Sequence, residues 1–275
     1  MNSFHRRSSR PATPPDPTPE RAIIERHGMS RLDSLLVSRG LAPSRTAAQR
    51  MIAAGRVSLN GAPLLKPAHE LAPDSPLHIE PDDDDRFASR GGLKLGGALA
   101  KTGLVVTGKI CLDVGQSTGG FTDCLLQAGA QQVVGVDVGH GQLATKLKAD
   151  PRVIALEGIN CRALTAADLG MAQPAGGFDL IVGDVSFISM TLILPQLPAL
   201  LVEHGDLLLL IKPQFEVGAA NIGKGGIVRN PACYRELEAK YFEFARNFGL
   251  TVRDWFDSPI TGGDGNREFF IWLNK

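Results

Sequence analysis

The stretch ICLDVGQSTGGF, residues 110–121, decides the fold that the sequence predicts. Its first five residues are apolar apart from Asp113, as expected of a buried strand. Three glycines follow the strand: Gly115, Gly119 and Gly120. Because glycine has no Cβ, they predict a turn whose backbone can lie against a ligand. A helical pattern follows, and this order of strand, turn and helix opens a nucleotide-type pocket in α/β sheets.

A second aspartate indicates what the pocket binds. The turn itself lacks the G-x-G-x-x-G order of dinucleotide folds, and a plain strand-to-helix connection is the alternative. Asp137 ends the next apolar run at roughly the distance, about 20 residues, at which dinucleotide folds place the acid that binds ribose hydroxyls. Two strands that each end in an aspartate therefore favour an adenosine-bearing ligand.

Strand and helix patterns alternate through the rest of the chain. Strand-like runs lie at residues 153–156, 180–182, 207–211, 251–252 and 269–272, and a helical pattern covers residues 231–248. Near-continuous apolar strands between helices predict a mostly parallel sheet. The last two strands have little between them, which allows one antiparallel strand at the edge.

The composition allows one large domain and a small one, since 43% of the 275 residues are hydrophobic. The 29 basic and 29 acidic residues cancel, but residues 1–80 contain 11 Lys and Arg against 7 Asp and Glu. We therefore expect an anionic partner at the front of the chain. The four cysteines and six histidines are scattered, so no disulfide and no metal site is predicted.

No apolar run is long enough to cross a bilayer, and no secretory signal is evident. We expect a cytoplasmic, monomeric protein with no membrane contact. Residues 1–28 are rich in proline, serine, threonine and arginine and predict a disordered tail. The aspartates within residues 81–86 predict an acidic linker. This linker would separate a small domain, residues 29–80, from a large domain, residues 87–275.

Residues 29–80 predict two short helices and a hairpin. Ser30 and Ser44 are typical helix N-caps, and strands are expected at residues 57–59, 64–65 and 77–79 around an Asn-Gly turn. Basic residues are spread across this unit: Arg31, Arg39, Arg45, Arg50, Arg56 and Lys66. With few acids between them, they favour contact with a phosphate backbone.

Two helices followed by AGRVSLNG, residues 54–61, resemble the αL-type RNA-binding module of a small-subunit ribosomal protein and of pseudouridine synthases. The resemblance implies RNA as the partner, which charge alone does not establish. The RNA-binding candidates are Arg31, Arg45, Arg50 and Arg56, together with Arg90 in the larger domain.

Four charged residues stand where a buried sheet does not favour charge. Asp184 and Lys212 each end an apolar strand, Glu268 opens the final strand, and Lys94 lies in a glycine-flanked helix. Strand ends that simply reach water are the alternative. Because α/β pockets form at the carboxyl ends of strands, we expect Asp184 and Lys212 to face the ligand of the glycine turn.

Six segments together resemble the TlyA family: SRGGLKL (89–95), DVGQSTGGFTD (113–123), GVDVG (135–139), GDVSFIS (183–189), IKPQFE (211–216) and GNREFF (265–270). Its members are ribosomal RNA 2′-O-methyltransferases, historically also labelled hemolysins, whose catalytic domain is like that of the FtsJ/RrmJ methyltransferase. The resemblance runs from about residue 29 to the C-terminus.

This resemblance implies an α/β fold, with a Rossmann-like sheet typical of S-adenosylmethionine (SAM)-dependent methyltransferases and a small α+β N-terminal RNA-binding domain. It also implies SAM as cofactor, ribosomal RNA or ribosomal subunits as partner, and cytidine as the nucleotide. The family's Lys-Asp-Lys-Glu tetrad falls on Lys94, Asp184, Lys212 and Glu268. The implied cofactor residues are Asp113, Gly115, Ser117, Thr118, Gly119, Gly120, Asp137 and Asn160.

These residue types suit methyl transfer to a ribose hydroxyl, which is a poor nucleophile while it holds its proton. Lys212 would stabilise the developing alkoxide or take the proton, and we expect it to act on the hydroxyl directly. The two carboxylates would position the amines and keep them from repelling each other. Lys94 would orient Asp184 or the RNA.

Four other functions compete with this interpretation. An NAD-dependent dehydrogenase would need the G-x-G-x-x-G turn, and a base-amino methyltransferase typically has a D/N-P-P-Y-like run where this chain has DVSF (184–187). An intact set of four charged residues argues against a non-catalytic RNA-binding protein. A pore-forming hemolysin has no support from a signal peptide or an amphipathic strand repeat.

Overall fold

The structure is a computed structural model that describes residues 28–82 and 86–275. It divides into two compact units, Met1–Glu80 and Pro81–Lys275, each with its own core. The tail predicted at residues 1–28, apart from Gly28, and the aspartates at residues 83–85 lie outside the described residues.

The first unit is a small α+β fold. Its elements are β1 (Ser30–Arg31), α1 (Leu32–Ser38), α2 (Arg45–Ala53), β2 (Val57–Leu59), β3 (Ala62–Pro63), β4 (Glu70–Leu71) and β5 (Leu77–Ile79). Strand β2 pairs antiparallel with β3 and β5, and β1 pairs antiparallel with β4. Apolar residues of both helices and of β2 form the core, among them Leu32, Leu36, Ile52 and Val57.

The two predicted helix caps have different outcomes. Ser44 caps α2 as predicted, since its side chain accepts a hydrogen bond from Ala47 N at 3.2 Å. The Ser30 cap is wrong, because Ser30 is paired in β1 and the residue before α1 is Arg31. Strand pairing of Ser30 with Leu71 therefore outweighs its local preference for a helix cap.

The hairpin after α2 turns earlier than predicted. Asn60 and Gly61 adopt left-handed φ values of 51° and 81°, so the chain reverses at once. Ala62–Pro63 therefore pairs with β2, and the strand predicted at residues 64–65 is wrong.

The second unit is an α/β fold around a seven-stranded sheet. Its strands are β6 (Ile110–Val114), β7 (Gln132–Asp137), β8 (Val153–Glu157), β9 (Phe178–Gly183), β10 (Leu201–Ile211), β11 (Thr251–Asp257) and β12 (Phe269–Asn274). Its α-helices are α3 (Gly91–Thr102), α4 (Gly120–Gln127), α5 (Thr145–Lys148), α6 (Ala166–Leu169) and α7 (Ala232–Asn247). Short 3₁₀ helices include Cys161–Ala163, Gly170–Ala172, Met190–Leu192, Leu194–Leu200, Pro213–Phe215, Ala219–Asn221 and Lys224–Gly226.

The strand order is β11-β12-β10-β9-β6-β7-β8. Strands β6 to β10 pair parallel with one another, which confirms the predicted Rossmann-like α/β sheet. The place of the antiparallel strand differs from the prediction. Strand β12 lies between β10 and β11 and is antiparallel to both, so the final strand is interior and β11 forms the edge.

From β6 the chain first adds β7 and β8 on one side of the sheet. It then crosses back and adds β9 and β10 on the other side of β6, so the strand order reverses at β6. The loops after β6 and β9 leave the same end of the sheet on the two sides of this point. Open α/β sheets bind their ligands at such a switch point. The glycine turn after β6 is therefore at the position where a ligand is expected.

Both faces of the sheet are covered. Along β10, Leu207, Leu209 and Ile211 pack into one apolar cluster, whereas Leu208 and Leu210 pack into the other. Alternation on a strand that is buried on both sides explains its continuous apolar sequence. Within the described residues, every helix is too short or too polar to span a membrane.

Candidate active site

Four charged side chains meet at the end of the sheet where the parallel strands have their carboxyl ends. Asp184 follows β9, Lys212 follows β10, Glu268 precedes β12, and Lys94 is on α3. Because β12 is antiparallel to β10, its first residue lies beside the end of β10. This strand arrangement brings Glu268 next to the residues that follow the parallel strands.

The four side chains form two ion pairs. Lys94 Nζ lies 2.6 Å from Glu268 Oε2, and Lys212 Nζ lies 2.6 Å from Asp184 Oδ1. Lys94 is therefore paired with Glu268 and not with Asp184, because the interior position of β12 brings Glu268 to this end of the sheet. The other role expected of Lys94, to orient the RNA, stays a prediction. Each amine has one acid beside it, which limits the repulsion between the two amines.

The contacts within the pairs are close but poorly aligned. Among the described residues, neither Asp184 Oδ1 nor Glu268 Oε2 has a partner with hydrogen-bond geometry. Lys212 instead donates an aligned hydrogen bond of 2.7 Å to Ser186 Oγ. The amines are therefore held mainly by the opposite charges beside them.

Burial distinguishes Glu268 from an ordinary surface acid. Its side chain is almost fully buried, which raises the pKa of its carboxyl; Lys94 and Lys212 oppose that shift only in part. A neighbouring charge on Asp184 acts in the same direction as burial. A buried carboxyl with a raised pKa beside two amines is typical of a functional site.

A pocket of about 460 Å³ opens beside the two pairs. Its walls are formed by Lys94, Ser186, Phe187, Lys212, Gln214, Phe215, Ile222, Gly226, Gly263, Asp264 and Glu268. The Phe187 side chain is 92% exposed, and its ring centroid lies 5.3 Å from that of Phe215. Phe187 has a φ of 64°, which is rare for a bulky residue. The sequence analysis did not single out Ser186, Phe187 or Phe215 as site residues. It used the segment DVSF (184–187) only to argue against a base-amino methyltransferase.

The glycine turn contacts the residues after β9. Gly115 has a φ of 86°, and a Cβ at this position would lie 2.7 Å from the Asp184 carbonyl oxygen. Asp184 N in turn donates to Val114 O at 3.0 Å. The predicted cofactor turn and the predicted catalytic acid are therefore fixed against each other by backbone contacts.

Asp137 connects the turn to the end of β7. Its carboxylate accepts hydrogen bonds from Ser117 N at 2.8 Å and Gly139 N at 2.7 Å. Ser117 has a φ of 47° and Gly119 a φ of 91°, so with Gly115 the turn has three residues of positive φ. Val138 follows Asp137 and is 70% exposed, so an apolar side chain lies beside the acid. The sequence analysis did not single out Val138.

Asp113 lies beneath the turn and has no exposed surface. Thr122 Oγ1 donates to Asp113 Oδ2 at 2.7 Å, and Gln116 Nε2 donates to Thr122 Oγ1 at 2.9 Å. Burial raises the pKa of Asp113 to about 7. Gln116 packs against Gly135, where a Cβ would collide with the Gln116 side-chain amide. In this position Asp113 supports the turn from below.

The remaining predicted cofactor residues lie around the turn. Gly119 packs against Leu147 of α5, and Gly120 packs against Ser89, with no room for a Cβ at either glycine. Thr118 O accepts a hydrogen bond from Ala144 N at 3.3 Å. The Asn160 side chain is exposed and caps the 3₁₀ helix at Cys161–Ala163 by accepting from Arg162 N.

Two of the predicted RNA-binding arginines share one acid in the first unit. Arg31 donates from Nε and Nη2 to the two oxygens of Asp33, and Arg45 Nη2 donates to Asp33 Oδ2, each at 3.0 Å. Gln49 adds a further bond of 3.0 Å. The hydrogen bonds from Arg31 hold the pKa of Asp33 well below its usual range, although burial acts against them.

The other predicted RNA-binding arginines differ in environment. Arg50 is exposed on α2, and Arg56 donates to the backbone oxygen of Glu80 at 2.7 and 2.9 Å. Arg90 precedes α3 in the second unit, and its Nε is buried without a hydrogen-bond partner among the described residues. Within the same residues no group of three or more His, Cys, Asp and Glu side chains could hold a metal ion.

Comparison with known proteins identifies both units. The FtsJ-like methyltransferase family matches residues 87–275, and the S4 domain family matches residues 30–75. YqxC of Bacillus subtilis, which has an rRNA methyltransferase name, is 47% identical over 89% of this chain and 85% of its own length. The 16S/23S rRNA (cytidine-2′-O)-methyltransferase TlyA of Mycobacterium tuberculosis is 43% identical over 89% of each chain.

A solved structure from Streptococcus thermophilus with a hemolysin name gives a TM-score of 0.70 at 41% identity. It covers 90% of this chain and 89% of its own. The resemblance on which the sequence interpretation rested is thus confirmed. The chain belongs to the FtsJ-like methyltransferase family, in the group that includes the TlyA proteins.

Proposed function

We propose that this protein transfers a methyl group from SAM to a ribose 2′-hydroxyl of ribosomal RNA, with cytidine as the nucleotide. The observation that carries the proposal is the convergence of two lysine–carboxylate pairs at the end of the sheet where the glycine turn lies. The name of the M. tuberculosis relative supports both the 2′-oxygen and cytidine.

The residues at the turn fit SAM. Asp137 presents a carboxylate at the end of β7, which suits ribose hydroxyls, and the exposed Val138 suits the face of an adenine. The start of α4 after Gly119 offers backbone N–H groups to a carboxylate. SAM, when bound, supplies an activated methyl group on its sulfonium.

Lys212 is the residue that acts on the hydroxyl. Its amine contacts Asp184 and donates to Ser186, so a positive charge is fixed at the edge of the pocket. This charge stabilises the negative charge that develops on the 2′-oxygen. As that oxygen bonds to the methyl carbon, the carbon–sulfur bond of SAM would break, and the hydroxyl proton would pass to solvent water in the pocket. The pair of Lys94 and Glu268 forms the adjacent wall and balances the second amine.

Aromatic residues provide a surface for a nucleobase next to the amines. Phe187 is almost fully exposed at the pocket, and Phe215 lies beside it. Bases stack on such rings in proteins that bind single-stranded nucleic acid. A nucleotide turned out of its helix can then present its ribose to Lys212 while its base contacts Phe187.

The first unit supplies the contact to RNA. The S4 domain match covers residues 30–75, and exposed arginines lie on both helices or next to them. Arginine side chains that face solvent neutralise RNA phosphates and make binding depend on salt. We assign Arg31, Arg45, Arg50 and Arg56 to this contact, and Arg90 to RNA at the catalytic unit.

The test is a map of methylated riboses. Ribosomal RNA, free and in assembled subunits, is incubated with the protein and SAM, and 2′-O-methyl groups are located at nucleotide resolution. We expect SAM-dependent methylation of one or a few cytidine riboses. Methyl groups found only on bases, or no methylation of any ribosomal RNA form, would contradict the proposal.

A further inference from the structure

We propose that Ser186 is a positioning residue for methyl transfer, whose hydroxyl fixes the direction of the Lys212 amine. The inference rests on the proposed function but concerns a residue outside the Lys-Asp-Lys-Glu tetrad. Ser186 lies two residues beyond Asp184, at the wall of the pocket.

The geometry around Lys212 leaves one direction for substrate. An ammonium group has three N–H donors. One points to Ser186 Oγ at 2.7 Å, and the Asp184 carboxylate lies 2.6 Å away on a contact that is not aligned as a hydrogen bond. The aligned bond to Ser186 therefore sets the rotation of the ammonium about its Cε–Nζ bond. With that rotation set, a remaining N–H faces the pocket.

The serine hydroxyl accepts the bond, so its own hydrogen remains available. An oxygen that accepts from Lys212 suits the amine in its charged form, with Asp184 as counter-charge. Lys212 then acts as a donor that stabilises the developing alkoxide, the first of the two roles that the sequence left open, and the hydroxyl proton passes to solvent water in the open pocket. The aligned bond gives Ser186 a directional role that the Asp184 charge alone does not provide.

The backbone that carries Ser186 is fixed at both ends. At the start, Asp184 N donates to Val114 O at 3.0 Å. At the far end, Ser189 Oγ and Met190 N donate to the Glu216 carboxylate at 2.6 and 2.8 Å. A short segment held in this way can keep the Ser186 hydroxyl in place while substrate enters.

Glu216 connects this segment to the rest of the unit. Tyr241 of α7 donates to Glu216 Oε1 at 2.7 Å, and Lys240 Nζ lies 3.5 Å from Oε2. Glu216 also directly follows the turn that carries Lys212 and Phe215. The loops after β9 and β10 are thus joined through one buried acid, which fixes the distance between Ser186 and Lys212.

The next residue, Phe187, supports the same conclusion. Its φ of 64° is unfavourable for a non-glycine residue and persists only where surrounding contacts hold it. Such strain is common at functional sites. Here it allows consecutive residues to face the same pocket, Ser186 toward the amine and Phe187 beside Phe215.

The experiment compares three variants of the full chain in methyl transfer with saturating SAM and RNA. Ser186→Ala removes the acceptor, Ser186→Thr keeps a hydroxyl, and Thr102→Ala removes a hydroxyl from the far end of α3. Ser186 is exposed, so its replacement is not expected to affect folding. Loss of one hydrogen bond to a charged group predicts a fall in kcat of about 10-fold for Ser186→Ala.

We expect unchanged KM values for SAM and RNA in Ser186→Ala, at least a third of the normal kcat in Ser186→Thr, and normal kinetics in Thr102→Ala. Normal kcat in Ser186→Ala, a change in KM alone, or a Ser186→Thr enzyme as slow as Ser186→Ala would overturn the inference. These outcomes leave the proposed function standing, because that fails only if the unaltered protein methylates no ribose.

Discussion

Buried acids meet basic side chains in both units, but the two arrangements differ in what they leave open. In the first unit, Asp33 receives aligned hydrogen bonds from Arg31, Arg45 and Gln49, and its pKa is held well below the usual range. In the second unit, Glu268 lies 2.6 Å from Lys94 without hydrogen-bond alignment, and its pKa is raised.

The difference shows how a structural cluster can be told from a reactive one. The acceptor sites of Asp33 are occupied by groups of the protein, so its charge is stabilised and the arginines are held in place. Glu268 and Asp184 are each paired with an amine, and Lys94, Lys212 and Glu268 line an open pocket. The charged groups can therefore meet a substrate at that pocket, whereas the Asp33 cluster joins groups of the protein to one another.

The largest effect is expected at Asp113, an acid whose partner is Thr122 rather than a cation. Its pKa is raised from 3.8 to about 7, so its contribution to stability is full below about pH 4 and is lost as pH rises through 7. At 1.36 kcal/mol per pKa unit, the loss approaches about 4 kcal/mol. Denaturant unfolding between pH 4 and pH 8 should show a smaller decline in Asp113→Asn than in the unaltered protein; parallel declines would refute this.

A smaller effect is expected at Asp33. Replacement by Asn removes a charge that four residues donate to, Arg31, Ser34, Arg45 and Gln49, and we expect the first unit to lose about 2 kcal/mol. The two arginines are themselves exposed, so solvent screening keeps this value low. Hydrogen exchange of amides in α1 and α2 measures the change. Gln49→Ala, which removes one neutral donor, is the milder control. Equal stability of Asp33→Asn and the unaltered protein would show that the Asp33 cluster does not stabilise the first unit.

Removal of the Phe187 ring from the pocket should mainly lower the catalytic efficiency with RNA. Phe187→Leu keeps an apolar side chain but removes the ring, and stacking on one ring contributes about 1–3 kcal/mol per base. We expect kcat/KM for RNA to fall about 10-fold. Phe187→Tyr keeps the ring and should remain near normal. If both variants behave alike, the ring does not contact a base.

The last expected effect concerns Glu268. Burial disfavours its charge, but Glu268→Gln leaves the buried Lys94 ammonium without a counter-charge, so we expect the unfolding free energy to fall by about 3 kcal/mol. Methyl transfer should fall as well, because the wall of the pocket is no longer held by the ion pair. Urea unfolding and single-turnover methylation on the same sample separate the two readouts. A variant that is strongly destabilised yet fully active would reverse the distinction between the two units.

The sequence predicted the fold and the four charged residues because each signal is local. The glycine turn, the acid after each strand and the leucine run of β10 can be read from short stretches. The pairing of Lys94 with Glu268 could not be read in this way. It depends on the insertion of β12 between β10 and β11, a long-range choice that leaves no mark near residue 268.

Other differences also arise from contacts distant in sequence. Asp33 lies in the first turn of α1, and α2 brings Arg45 and Gln49 to cover it, which the local sequence does not indicate. The exposure and strained φ of Phe187 depend on how the segment after β9 is fixed to Glu216. Residue type alone does not indicate either environment.

The central claim is that Lys212 acts on the 2′-oxygen, and Lys212→Ala tests it most directly. Single-turnover methyl transfer is measured with SAM and RNA binding determined separately, and Lys101→Ala, which alters a surface lysine paired with Asp254, is the control. We predict that both ligands bind Lys212→Ala as before while methyl transfer falls by about 100-fold or more. A Lys212→Ala enzyme that transfers methyl groups at a near-normal rate would contradict the claim.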